Sequence, residues 1–194
     1  MAMSDFTGQR TLTIRDNTAT TPTFVVLGAN QIGSAGIVSE EDPNEITLAT
    51  FAGDITLPNG LKTKASTVVV LPLTTADMGE LFPQGFDAAT GSWAMPIGGC
   101  DALDSDIAFE KVCDTKGNVL YKHVAISPAH KLEIARDNIY EVELKFYETP
   151  TLGSEYGLTG DNATKEFLRL IYDGTYNPTT GTVTFDASST TTTA

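Results

Sequence analysis

The stretch N-I-Y-E-V-E-L-K-F-Y, residues 138–147, decides the fold class. Tyr140, Val142, Leu144 and Phe146 fall on one face, and Glu141, Glu143 and Lys145 fall on the other. A period of two marks a strand with one face in a core and one in water, because successive side chains of an extended chain point to opposite sides. Residues 131–136 precede it across Asp137-Asn138, so the pair reads as a hairpin.

Working outward, the same signature recurs in short pieces. R-T-L-T-I-R (10–15) alternates, and T-F-V-V-L (23–27) is a β-branched run stopped by Gly28. Residues 46–51 predict a short strand. Residues 61–73 predict another, whose part 68–71 is apolar on both faces and reads as a central, doubly covered strand. Residues 107–113 and 119–126 form a second hairpin across D-T-K-G-N (114–118). Residues 166–172 read as a strand in preference to a helix, pairing with 182–186.

Between these runs, residues 28–45 are rich in Gly, Ser and acids and end in E-E-D-P-N, so a long loop is expected there. A second loop is expected over 52–64, where Gly53-Asp54 and Pro58-Asn59-Gly60 are turn signals, and a Gly-rich third over 152–163. One helix is legible, T-A-D-M-G-E-L-F at 75–82, capped by Thr74 or Thr75 and stopped by Pro83 and Gly85. Met78, Leu81 and Phe82 make its apolar stripe, and two turns are too short to stand alone, so it must pack on a sheet. The expected class is mainly β: a two-sheet sandwich or partly closed barrel with one short flanking helix. The expected organisation is an N-terminal arm over 1–9, a single domain over 10–186 and a flexible tail over 187–194.

Composition narrows the function. The 194 residues carry 25 acidic and 12 basic side chains, a net charge of −13. Such a balance argues against binding nucleic-acid phosphates or anionic lipid. No apolar run approaches the ~20 residues that span a bilayer, and residues 1–10 lack the basic-then-apolar pattern of a signal peptide. Cys100 and Cys113 lack a C-x-x-C partner and zinc spacing, and Cys113, in phase with Ile107 and Phe109, is expected to be a buried inert thiol. His123 in a strand and His130 in a turn after Pro128 read as ordinary core-edge or surface histidines. Asp101, Asp104 and Asp106 lack the spacing and glycine of a calcium loop and read as a solvated acidic segment. No phosphate loop, nucleophile elbow or metal motif is found, and no catalytic residue, cofactor or metal is expected.

Three stretches carry a resemblance. These are D-F-T-G-Q-R-T-L-T-I-R-D-N-T-A-T-T-P (5–22), K-A-S-T-V-V-V-L-P-L (64–73) running into the helix, and N-I-Y-E-V-E-L-K-F-Y-E-T-P (138–150). In layout the chain resembles the major tail protein of long-tailed bacteriophages, the tail-tube subunit. The resemblance covers about a quarter of the chain. It implies a sandwich with a flanking helix, six copies closing into a ring, and rings stacking into a tube. The virion tube would be assembled in the host cytoplasm, meet tape-measure, initiator and terminator proteins, touch no membrane, and let double-stranded DNA pass without specific binding. A lumen of carboxylates repels phosphates, so the negative charge is in keeping with such a conduit. The candidate lumen-facing acids are Asp106, Glu110, Glu141 and Glu143; the candidate inter-subunit loop residues are Glu40, Glu41, Asp42, Asp54, Asn59, Lys62 and Lys64. The alternatives are a capsid decoration or adhesin-like β module, and then a carbohydrate-binding module using Trp93 and the tyrosines.

Overall fold

A computed structural model of the chain describes residues 8–18, 21–40, 43–50, 53–61, 65–71, 75–81, 86–94, 103–134 and 140–187. These residues are mainly β. The strands run β1 (Arg10–Asp16), β2 (Thr23–Leu27), β3 (Ile32–Glu40), β4 (Pro43–Thr50), β5 (Gly53–Leu61) and β6 (Ala65–Val70). Helix α1 (Thr75–Leu81) follows, then β7 (Phe86–Asp87), β8 (Ser92–Trp93), β9 (Leu103–Lys111), β10 (Asn118–Ile134) and β11 (Tyr140–Tyr147). The C-terminal part holds β12 (Thr151–Leu152), β13 (Glu166–Phe167), β14 (Leu170–Tyr172), β15 (Gly174–Asn177) and β16 (Thr182–Phe185). The expected arm and tail lie outside the described residues except for Gly8, Gln9 and Ala187. Phe82, Cys100, Asp101, Asp137 and Asn138 also lie outside them.

One antiparallel sheet dominates, in the order β2-β1-β9-β10-β11-β6-β3, with β14 added on β10. Its two edges, β2 and β3, are joined by residues 28–31 alone. Laid flat, strands at ~4.8 Å spacing would set those edges about 29 Å apart. The link from Leu27 to Ile32 reaches about 18 Å at most, so the sheet must curl and bring its edges toward each other. A Cβ built on Gly36 of β3 would come 3.4 Å from the ring of Phe109 on β9, which places the far edge across the interior. The barrel is not closed: β2 and β3 do not pair with each other.

The curl encloses one core. Leu12, Val25 and Leu27 from one end meet Val68, Val70, Val142, Leu144 and Phe146 from the other, with Ile107, Tyr121, Val124 and Ile126 between them. Met78 and Leu81 of α1 are buried in the same cluster, as the apolar stripe predicted. On β11, Val142, Leu144 and Phe146 are buried while Glu141 is exposed, so the alternation that decided the fold class holds. A second cluster lies on the outer face of β9 and β10, where Ala108 and Leu120 are covered by Tyr156, Tyr172 and Tyr176.

Several expectations are corrected. Residues 28–45 are not a loop: a 3-10 turn (Ala29–Gln31) leads into β3 and the start of β4. The glycines that suggested a loop are absorbed by an edge-strand irregularity between Ile32 and Ile37, where Gly36 takes φ +62°. Residues 53–61 form β5, and Pro58-Asn59-Gly60 falls at its shift in register with β4. Strand β6 buries Val68 and Val70 but leaves Val69 half-exposed, since one face of it is open. Residues 119–126 and 131–134 belong to a single bent strand, β10, so His130 sits in a strand instead of a turn. Residues 166–172 are strands, but β13 pairs with β12 and β14 with β10, while β16 pairs with β15. Cys113 is exposed, because β9 ends at Lys111, two residues before it.

Candidate assembly surface

The four candidate acids part company in the structure. Asp106 and Glu110 project from β9 under the C-terminal segment, on the same face as Ala108. Asp106 has no exposed surface. Its Oδ1 accepts from Asn17 Nδ2 (2.8 Å) and from the His123 amide (3.3 Å), and its Oδ2 accepts from the Tyr176 hydroxyl (2.8 Å). Two cations complete the shell, Lys122 Nζ at 3.6 Å and Arg15 Nη1 at 3.7 Å from Oδ2. Lys122 also donates to the Gly181 carbonyl (3.0 Å) and Arg15 Nε to the Pro178 carbonyl (2.8 Å); Arg15 Nη1 donates to Asn17 Oδ1 as well. The network therefore fastens the β15–β16 turn to the sheet. A buried carboxylate needs this many donors, since an unpaired one costs several kcal/mol.

Glu110 is half-buried and receives the Tyr172 hydroxyl (2.8 Å) and the Tyr176 amide (2.7 Å) on one oxygen. Burial, and then the negative charge of Glu110 and Asp106 respectively, push the Tyr172 and Tyr176 hydroxyls well above the usual phenol range. Burial likewise pushes Tyr156 up to about 12; its hydroxyl donates to the Leu168 carbonyl (3.2 Å). These phenols remain protonated donors at neutral pH. Asp106 is thereby corrected from a channel-facing acid to an internal anchor, and Glu110 to a clasp for the overlying tyrosines.

Glu141 and Glu143 stand differently. They lie on the face of β11 opposite the core; Glu143 is in register with Val69 of β6 and Lys131 of β10, and Glu141 with Glu133 of β10. Lys145 continues the row, its ammonium 5.8 Å from the centre of the Tyr147 ring. Tyr147 and Val38 are exposed on the same region of sheet. On this face Glu141 is exposed, and Glu143 and Lys145 are half-buried.

The three described candidate inter-subunit residues, Glu40, Asp54 and Asn59, lie in strands instead of loops. Glu40 ends β3 opposite Ala65; Asp54 in β5 faces Ala49 in β4; Asn59 is in β5. Glu41, Asp42, Lys62 and Lys64 lie outside the described residues. β4 and β5 form a two-stranded sheet of their own. In its register Ile46 pairs with Leu57 and Leu48 with Ile55. Edge strand β2 adds exposed Phe24 and Val26.

The Asp106 network is absent from the sequence expectations, although a signal for it existed. Asp106 alternates in phase with Ala108, and Lys122 in phase with Leu120, so each places a charge at an apolar position of its strand. Among the described residues no group of three His, Cys, Asp or Glu side chains is arranged to hold a metal ion, and no helix is long and apolar enough to cross a membrane. No family model, curated protein or solved structure matches the chain.

Proposed function

We propose that the chain is a self-assembling structural subunit of a phage tail tube, closing into six-membered rings that stack around a negatively lined channel for DNA. The observation that carries the reading is the β4–β5 hairpin, which pairs with no other strand among the described residues. A two-stranded hairpin is marginal in water on its own. One whose paired positions are apolar, Ile46 with Leu57 and Leu48 with Ile55, gains from a second surface, and in a stack of rings that surface belongs to another copy. The free edges β2 and β3 support ring closure in the same way, because an unpaired edge is a template for a further strand. In this reading the curled sheet is a sandwich, α1 is its flanking helix, and Glu141 and Glu143 are the acids turned to the channel. Tape-measure, initiator and terminator proteins are then the other partners.

Negative-stain electron microscopy of the full chain, fresh and after days at high concentration, tests this. Rings or tubes with a central channel are expected. Ile46→Asp with Leu57→Asp should abolish them while leaving the circular dichroism spectrum of the monomer unchanged. Only monomers at every concentration, even with preformed tail tips as seeds, would exclude the reading.

A further inference from the structure

His123 is the one non-glycine residue among those described with a left-handed backbone, φ +53°. It sits in the irregularity of β10 between Tyr121 and Val124, where the extra residue lets both neighbours reach the core. The bulge turns its ring between two carboxylates. Nδ1 lies 3.0 and 3.1 Å from the oxygens of Asp104 on β9, and Nε2 lies 2.7 Å from Glu155 Oε2, in the turn after β12. A neutral imidazole has one N–H and one lone pair, so it can donate to only one of them. The imidazolium donates to both. The carboxylates face opposite ring nitrogens, so the three groups do not converge on a metal ion.

Asp106 is the third acid facing this site, through the His123 amide at 3.3 Å. The neighbouring cations Lys122 and Arg15 are engaged with Asp106. Glu155 directly precedes Tyr156, which is 1% exposed and accepts the Lys122 amide on its hydroxyl (3.4 Å). What holds Glu155 therefore holds the turn that seats Tyr156.

We propose that His123 is a pH-sensitive latch: its imidazolium clamps the turn at residues 153–158 onto the β10 bulge, and loss of the proton loosens that turn. Burial disfavours the charged ring, but the bonds to Asp104 and Glu155 and the charges of Asp104 and Asp106 outweigh it, leaving the pKa raised. A raised folded-state pKa means that the stabilisation is complete below the unfolded value of ~6.5 and disappears as pH climbs through the folded one.

The test is an NMR titration of the His123 imidazole in the full chain, assigned against His130→Gln. It is read with the hydrogen-exchange protection factors of the Tyr156, Gly157 and Leu158 amides, which bond to Gly153 and Ser154 carbonyls. The expected midpoint lies above ~6.5 and falls in Glu155→Gln and in Asp104→Asn. Protection of the three amides should drop several-fold as the wild type passes its midpoint. In His123→Gln it should be low on both sides of that pH. A wild-type midpoint at or below the ordinary value, a midpoint unmoved by both variants, or protection that ignores the titration would each overturn the latch.

Discussion

Asp106 shows how much one side chain can hold. It joins β1, β10 and β15 through donors and cations that share its two oxygens. Asp106→Ala leaves Lys122 and Arg15 buried without their shared partner, and should cost about 3–5 kcal/mol, measured by urea denaturation. Tyr176→Phe removes one bond to a charged acceptor and should cost about 1.5–3 kcal/mol. On β11 the two faces give opposite outcomes. Val142→Asp should cost at least about 3 kcal/mol, because the position is sealed in the core. Glu143→Ala should stay within about 0.5 kcal/mol. Equal melting temperatures for these two variants would contradict the register of β11.

At the scale of elements, the C-terminal hairpin is attached as much by backbone as by side chains. Gly174 opens β15 at φ +146°, and its amide donates to the Thr115 carbonyl of the β9–β10 turn at 2.8 Å. A Cβ there would collide with the Thr184 carbonyl on the paired strand. Gly174→Ala should therefore detach the β15–β16 hairpin, seen as early proteolytic cleavage between residues 173 and 187 with the main sheet still folded. The acidic row on β11 has its own prediction. Replacing Glu141 and Glu143 with Lys should leave the melting temperature within a few degrees; under the proposed tail-tube function it should still permit rings but impair DNA ejection from virions carrying the variant. Normal infectivity would move these acids off the channel.

At the scale of the whole molecule, charge and shape act in opposite directions. Each copy of the chain carries −13, so copies repel one another, while in the proposed assembly the β4–β5 hairpin and the edges β2 and β3 would favour association. Salt screens repulsion over a Debye length of about 10 Å at 0.1 M and 30 Å at 0.01 M. Polymerisation followed by light scattering should accordingly speed up between those salt concentrations. Slowing with salt would instead mean that subunits meet through ion pairs of opposite sign.

The strand pattern of residues 140–147, the helix at 75–81 and the β character of the chain were legible because each depends on local periodicity, which a single strand or helix carries by itself. The acidic balance was legible because it is a sum over residues. What lay beyond reach was set by pairing. Glycines at 33 and 36 look like loop until an edge strand finds β6 as its partner. Asp106 looks solvated until the residues that follow β14 fold over it. His123 looks ordinary until a bulge aims it at Asp104 and Glu155, 19 and 32 residues away along the chain. Local sequence determined which segments would be strands, whereas only the tertiary structure decided which strands became edges and which charges were buried. Hydrogen-bond partners and burial come from residues distant in sequence, and no local window contains them.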